Sequence, residues 1–332
     1  MAKYNVYGLG NALVDKEFEV TDAFLAEQNI EKGLMTLIEQ EQQQSLLAGL
    51  QANFDLKKRA GGGSAANSLV GLSQFGGSAF YACKVGNDEF GRFYADDLAA
   101  SGVTTRLNEL STQGNTGTCL VMVTDDAERT MNTYLGCTAD LSTNELFIEE
   151  LSQADYLYIE GYLVPSPTAL EAIAAAKQQA KADGVKIAMT FSDPSMVKYF
   201  KDGIDQALGN ERIDLLFCNE EEAQTFTDTN TVADASQALL KRAKTVVITL
   251  GAKGLLVIDD EKQVEVAGQP AKAVDTNGAG DMVAGAFLYG LSQNWDYAKA
   301  GELACKAASV VVSHFGPRLS KEQQQEILKD FL

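Results

Sequence analysis

Histidine, proline and tryptophan are all scarce in this chain: one His, five Pro and one Trp in 332 residues. With a single histidine, His314, no triad or metal cluster can use more than one imidazole. With so few prolines, and no Pro/Ser/Gly run long enough to be a tether, no independently moving domains are expected. The five cysteines (Cys83, Cys119, Cys137, Cys218 and Cys305) are odd in number, widely spaced and lack a Cys-x-x-Cys. They read as reduced core thiols rather than a disulfide framework or a zinc site. Basic residues are outnumbered, 27 Lys and Arg to 46 Asp and Glu, for a net charge of −19. That field repels nucleic-acid phosphates and anionic lipid, so neither nucleic acid nor membrane is an expected partner. No segment reaches the roughly 18 apolar residues of a membrane span, and no signal-peptide core follows Met1. The expected compartment is the cytoplasm.

Apolar residues make up 45% of the chain, enough to fill one large α/β domain or two ordinary ones. From about Ala154 onward, short β-branched or aliphatic runs alternate with longer helical patterns, as βαβ units require. The strand candidates are 156–160, 186–190, 215–218, 245–250 and 255–259, with helix-like stretches such as 168–181 and 233–242 between them. A doubly wound, mostly parallel sheet follows, to which 4–9 and 79–85 add strands. Segments 118–124 and 129–135 resemble a hairpin around Asp125-Asp126-Ala127-Glu128. This hairpin, joined by the region around Asp15–Leu37, is expected to form a small β-rich appendage. Two helices, roughly 297–312 and 321–332, close the chain, and the turn 314–318 between them is placed to cover a nucleotide's base.

Five stretches can carry chemistry. In Asp275-Thr276-Asn277-Gly278-Ala279-Gly280-Asp281, small residues let backbone N–H groups converge at a helix N-terminus, where aligned dipoles favour an anion. Asp281 then falls in the first helical turn, either as a reacting acid or simply as a charge matched to the dipole. Gly61-Gly62-Gly63-Ser64-Ala65-Ala66-Asn67 opens another helix; its glycines permit close backbone approach, and Asn67 offers a donor and an acceptor suited to sugar hydroxyls. A glycine hinge after Lys57-Lys58-Arg59 is the other reading. Asn219-Glu220-Glu221-Glu222 follows a strand at the carboxyl edge where open α/β sheets bind ligands, and its oxygens suit a largely hydrated Mg²⁺ or a plain helix start. Thr249-Leu250-Gly251-Ala252-Lys253-Gly254 is a glycine turn able to pass over phosphates or merely to join strands. Gly8-Leu9-Gly10-Asn11 lacks the third glycine of a dinucleotide fingerprint, and no Walker pattern occurs.

Taken together and in this order, these elements resemble the ribokinase-like (PfkB) family of carbohydrate and nucleoside kinases over essentially the whole chain. The resemblance implies a three-layer α/β/α fold with a central, mostly parallel sheet and a small β-rich lid, here from about 12–40 and 113–137. It implies that Gly278, Ala279 and Gly280 form the anion hole for the γ-phosphate and that Asp281 is the general base. Asn219 and Glu222 would organise Mg²⁺ through water, and Thr249, Gly251 and Gly254 would belong to the ATP site. Within the family, Gly10-Asn11-Ala12-Leu13-Val14-Asp15 looks most like the Gly-Asn-Pro-Leu-Leu-Asp of adenosine kinases. There the Asn faces the nucleobase and the Asp binds the ribose hydroxyls, so Asn11, Asp15, Gly62, Gly63 and Asn67 are the implied substrate site. Arg129 matches an arginine that neutralises ATP phosphates. Ala12 replaces the usual proline, and Ser64-Ala65-Ala66 departs from the Thr-Gln before Asn of vertebrate enzymes. The implied reaction is phosphorylation of a nucleoside 5′-hydroxyl, adenosine first, with a ribose, fructose or sugar-acid kinase or an idle nucleoside-binding relative as alternatives. A monovalent cation such as K⁺ near the 275–281 loop, and a monomer or homodimer, follow from the same likeness.

Overall fold

Successive residues of the central strands face opposite ways, as an extended chain requires, and both faces are apolar. Leu157, Ile159, Met189, Leu216, Cys218, Val246 and Ile248 pack into one core, whereas Tyr156, Tyr158, Ala188, Leu215, Phe217 and Val247 pack into another. A sheet buried on both sides needs helices on both, and the computed structural model, which describes residues 3–107 and 113–332, has them. Pro167–Asp183 and Glu220–Thr227 cover the first face. Ser64–Phe75, Ala279–Ser292, Tyr297–Val311 and Lys321–Lys329 cover the second.

The large sheet runs, in spatial order, Gln263–Ala267, Gly254–Asp259, Ala243–Thr249, Ile213–Asn219, Lys186–Thr190, Ala154–Ile159, Tyr4–Leu9, Ala79–Ala82 and Val103–Thr104. Its pairings are parallel except for the two at the Gln263–Ala267 edge. The three-layer ribokinase-like α/β fold is thus as expected, but the strand at 79 stops at Ala82 rather than Val85. All five cysteines are buried and free.

A second sheet has the order Met35–Leu37, Arg129–Gly136, Thr116–Val123, Leu13–Glu19 and Leu56–Gly62. Its outer side packs on the helices Asp22–Glu27 and Gln40–Asn53 through Phe18, Phe24, Leu46, Leu50, Leu120 and Met122. The strand Leu56–Gly62 corrects the hinge reading of this stretch. Its charges mark an edge strand: Lys57 reaches Glu19 at 3.0 Å, and Arg59 lies 4.4 Å over the Phe93 ring. Hydrogen bonds tie this sheet to the main body at several points, among them Tyr94 Oη to the Gly62 carbonyl at 2.8 Å, Gly86 N–H to Thr116 Oγ1 at 2.9 Å, Thr276 Oγ1 to the Ala127 carbonyl at 3.2 Å and Lys58 Nζ to the Phe315 carbonyl at 3.3 Å.

The helices Ser64–Phe75 and Ala279–Ser292 cross closely because Gly285 has no side chain. A Cβ there would strike the Ser68 carbonyl oxygen. Gly285→Val should therefore cost about 1–3 kcal/mol of stability through overpacking, read as a lower urea midpoint at unchanged m-value. An unshifted midpoint would contradict this crossing.

Candidate active site

Parallel strands deliver their following loops to one edge, and two of the helices begin at that same edge. The loops after Leu9, Ile159, Thr190, Asn219 and Thr249 meet the N-termini of Ser64–Phe75 and Ala279–Ser292 there. Two cavities result. One of about 190 Å³ is lined by Asn11, Asp15, Gly63, Asn67, Arg129, Asn219, Glu222 and Gly278 through Asp281, with Leu13, Met35, Leu37, Met131 and Leu135 along the second sheet. The other, about 410 Å³, is bounded by Thr249, Gly251, Gly254, Leu255, Cys305, Ala308 and Val312. Both touch Thr249, Thr276, Ala279, Gly280 and Val283, so the glycine loop is their common wall.

That loop is shaped from behind. Gly278 caps the helix with φ +74°, a left-handed conformation, and Pro317 fills the space a Cβ would need. Asp275 is buried and accepts the N–H groups of Asn277 and Gly316, each at 2.8 Å. The turn 314–318 therefore braces the glycine loop. It is not among the residues bounding the larger cavity, which corrects the expectation that it covers a base.

Asp281 stands in the first helical turn and accepts from Ser64 Oγ at 2.6 Å and from Asn67 Nδ2 at 2.9 Å. Burial raises its pKa above the ordinary carboxylate value, against the pull of these two hydrogen bonds and the cations Arg129 and Arg318. Asn67 is thus engaged with Asp281, and its Oδ1 accepts from Arg318 Nε at 2.8 Å, leaving one amide N–H for a ligand. The sugar-hydroxyl role read from the sequence is narrowed accordingly.

Asp15 is buried on the cavity wall, and its carboxyl has no hydrogen bond to protein among the described residues. Gly62 does not bound the cavity; it lies under Asp15, whose carboxylate a Cβ at 62 would strike. Burial pushes the Asp15 carboxyl up from its ordinary 3.8 to about 7, with Arg318 the largest opposing influence. Asn11 donates from Nδ2 to the Tyr162 carbonyl at 3.1 Å, accepts at Oδ1 from Thr138 Oγ1 at 3.2 Å, and its side chain also hydrogen-bonds Glu160, which leaves one oxygen lone pair of the carboxamide open.

Asn219 and Glu222 form a reciprocal helix cap, each side chain accepting the other's backbone N–H at 2.8 Å. Glu222 is buried, and burial pushes its carboxyl up to about 8. The family resemblance implies ATP and Mg²⁺. Among the described residues no three His, Cys, Asp or Glu side chains form a metal cage. The donors present fit a hydrated ion hydrogen-bonded to the cavity side of Glu222. Open space beside Gly251 and Gly280 fits close approach of a nucleotide.

Three residues of the site escape the sequence reading. Glu160 is fully buried, accepts from the N–H of Ala65 at 2.9 Å and of Asn11 at 3.3 Å, and is pushed up to about 8 by burial. It ties the loop at Asn11 to the start of the helix at Ala65, and the available signal was an acid closing an apolar strand. Asp193 receives the Tyr162 hydroxyl at 3.2 Å and lies 4.0 Å from the Arg129 guanidinium. Arg318 lies beyond the recognised motifs, in an otherwise structural turn.

An acid whose pKa is raised on folding holds its proton more tightly in the native state, so its stabilisation is lost as pH climbs through the window between the two values. For Asp15 that window runs from 3.8 to about 7. Asp15→Asn should therefore gain stability on the wild type across this range and keep the gain above it. Parallel melting curves for the two proteins from pH 4 to pH 8 would contradict the burial argument.

The pfkB family carbohydrate kinase model matches residues 34–324. Adenosine kinase 2 of Arabidopsis thaliana is 29% identical over 93% of this chain and 94% of its own length. Among solved structures, the adenosine kinase from Sinorhizobium meliloti superposes with a TM-score of 0.93 at 32% identity, covering 100% of both chains. A probable sugar kinase from Rhizobium etli CFN 42 superposes equally well, TM-score 0.93 at 30% identity, covering 100% of this chain and 99% of its own. On these grounds the chain belongs to the pfkB family of carbohydrate kinases and is a phosphotransferase with an alcohol group as acceptor.

Proposed function

We propose that the protein phosphorylates the 5′-hydroxyl of a nucleoside, adenosine being the best fit, with ATP as donor. The observation that carries this is the composition of the smaller cavity. Asp15, open to a ligand, faces the same space as Asp281, while Leu13, Met35, Leu37, Met131 and Leu135 give that space an apolar side. Vicinal ribose hydroxyls suit the carboxylate, and a flat base suits the apolar side; a free sugar would leave that side against water. The remaining oxygen lone pair of Asn11 then supplies a polar contact to the base. The sugar-kinase likeness keeps ribose and related sugars as the runner-up.

In this reading the second sheet acts as a lid, closing the acceptor cavity and carrying Arg129 toward the phosphates. The nucleotide takes the larger cavity, its phosphates passing Thr249, Gly251 and Gly254 to reach the shared glycine wall. Glu222, beside Asn219, would hold Mg²⁺ through water, and the ion when bound would supply charge neutralisation for the polyphosphate. Asp281 accepts the 5′-hydroxyl proton as the new O–P bond forms and the γ-to-β bridging bond breaks, releasing ADP. The N–H groups of Gly278 and Gly280, with that of Ala279, which also meets the Thr276 carbonyl at 3.3 Å, serve the charge that builds on the transferring group.

Losing a general base typically costs about 10²–10⁴ in rate, so Asp281→Asn should lose at least a hundredfold in kcat with nucleoside and ATP affinities within a few-fold. Near-normal turnover would remove Asp281 from that role. Assayed on ADP release with adenosine, other nucleosides, ribose and fructose, the enzyme should favour adenosine, and Asn11→Ala should weaken adenosine more than ribose. Preferred turnover of ribose or fructose, with Asn11→Ala affecting both alike, would establish the sugar reading instead.

A further inference from the structure

We infer that Arg318 is a positioning residue for phosphoryl transfer: it fixes the carboxamide of Asn67 and, through it, the hydrogen-bonded state of Asp281. The inference rests on the reading of Asp281 as general base. Arg318 Nε donates to Asn67 Oδ1 at 2.8 Å, and Asn67 Nδ2 donates to Asp281 Oδ2 at 2.9 Å. An amide that offers its oxygen to a guanidinium must offer its nitrogen on the other side. A half-turn of the group would set N–H against N–H at Arg318 and oxygen against oxygen at Asp281. Arg318 thereby selects the only orientation that leaves Asp281 with two donors, the second being Ser64 Oγ.

The guanidinium is itself fixed. Its side chain is 9% exposed, and its Nη1 is paired with Asp97 on the helix Glu89–Ala100. It enters from the turn whose Pro317 packs on Gly278, so one short segment braces both the anion loop and the base. Lysine cannot replace it, because a single ammonium at Asp97 has no second, rigidly placed N–H for Asn67. The charged and titratable groups acting on Asp281 are the cations Arg129 and Arg318, the carboxyls of Asp15 and Glu160, and the phenols of Tyr158 and Tyr162. Both phenols are raised by burial and stay neutral, so removing Arg318 leaves Arg129 as the cation facing the carboxyls of Asp15 and Glu160.

The test uses Arg318→Lys and Arg318→Met in the full chain. Lysine keeps the ion pair with Asp97 and so guards against a variant that fails to fold. Misplacement of a reacting group by about 1 Å can cost roughly 10²-fold, so both variants should lose about 10- to 100-fold in kcat while the KM for ATP stays within a few-fold. The acid limb of the kcat profile should move to higher pH by about one unit, more in the Met variant than in the Lys variant. The carboxyl titration of Asp281 in the unliganded protein, followed by ¹³C NMR and assigned with Asp281→Asn, should move the same way. Wild-type kcat in Arg318→Lys, or an Asp281 titration unmoved in both variants, overturns the inference. Failure of the base assignment itself is a separate outcome, seen as turnover surviving in Asp281→Asn.

Discussion

The site depends on one small cluster, in which Ser64 and Asn67 at the start of one helix both donate to Asp281 at the start of another. Two helix N-termini bring two positive dipole ends to the same point, which favours an anion there and steadies a carboxylate. Close crossing of the helices is what makes the cluster possible, and that crossing is permitted by the absence of a side chain at Gly285. The sheet sets the height of both helices by packing them on the face formed by Tyr158, Ala188, Leu215, Phe217 and Val247. Displacing either helix would break hydrogen bonds that burial makes expensive to lose.

Seen from this cluster, the acidity of the protein has a local meaning. A net charge of −19 is poorly suited to binding a polyphosphate. Yet the carboxyls nearest the cavities, those of Asp15, Glu160 and Glu222, are pushed by burial to between about 7 and about 8, so near neutral pH they carry much less charge than surface acids. Arg129 lines the smaller cavity from a strand of the second sheet, and Arg318 reaches Asn67 from the turn behind the glycine loop. The fold leaves the repulsive charge largely on its surface and sets amide dipoles and the Arg129 guanidinium on the cavity wall.

Much of the architecture was legible from periodicity, because strands buried on both faces read as continuous apolar runs and their helices as longer amphipathic ones. The exceptions have physical causes. Leu56–Gly62 is an edge strand whose exposed face carries Lys57 and Arg59, so it reads as solvated charge rather than sheet. In the site, residues inside glycine-rich motifs were visible because their backbone geometry demands unusual composition. Glu160, Asp193 and Arg318 were not, since each acts through a tertiary neighbour far away in sequence: Ala65, Arg129 and Asn67 respectively. Even Asn67, singled out for its amide, was assigned to a ligand when much of that amide is engaged with Arg318 and Asp281.

The central claim is geometric: an acceptor hydroxyl is held between the Asp281 carboxylate and a phosphoryl group lodged on the glycine loop. A crystal structure of the ternary complex with adenosine, Mg²⁺ and a non-hydrolysable ATP analogue tests it most directly. The account predicts the 5′-oxygen within about 2.6–3.2 Å of the Asp281 carboxylate, hydrogen-bond reach for a general base, with the ribose hydroxyls on Asp15 and the γ-phosphate against Gly278–Gly280. A 5′-oxygen directed away from Asp281, or a ribose that leaves Asp15 untouched, would contradict it.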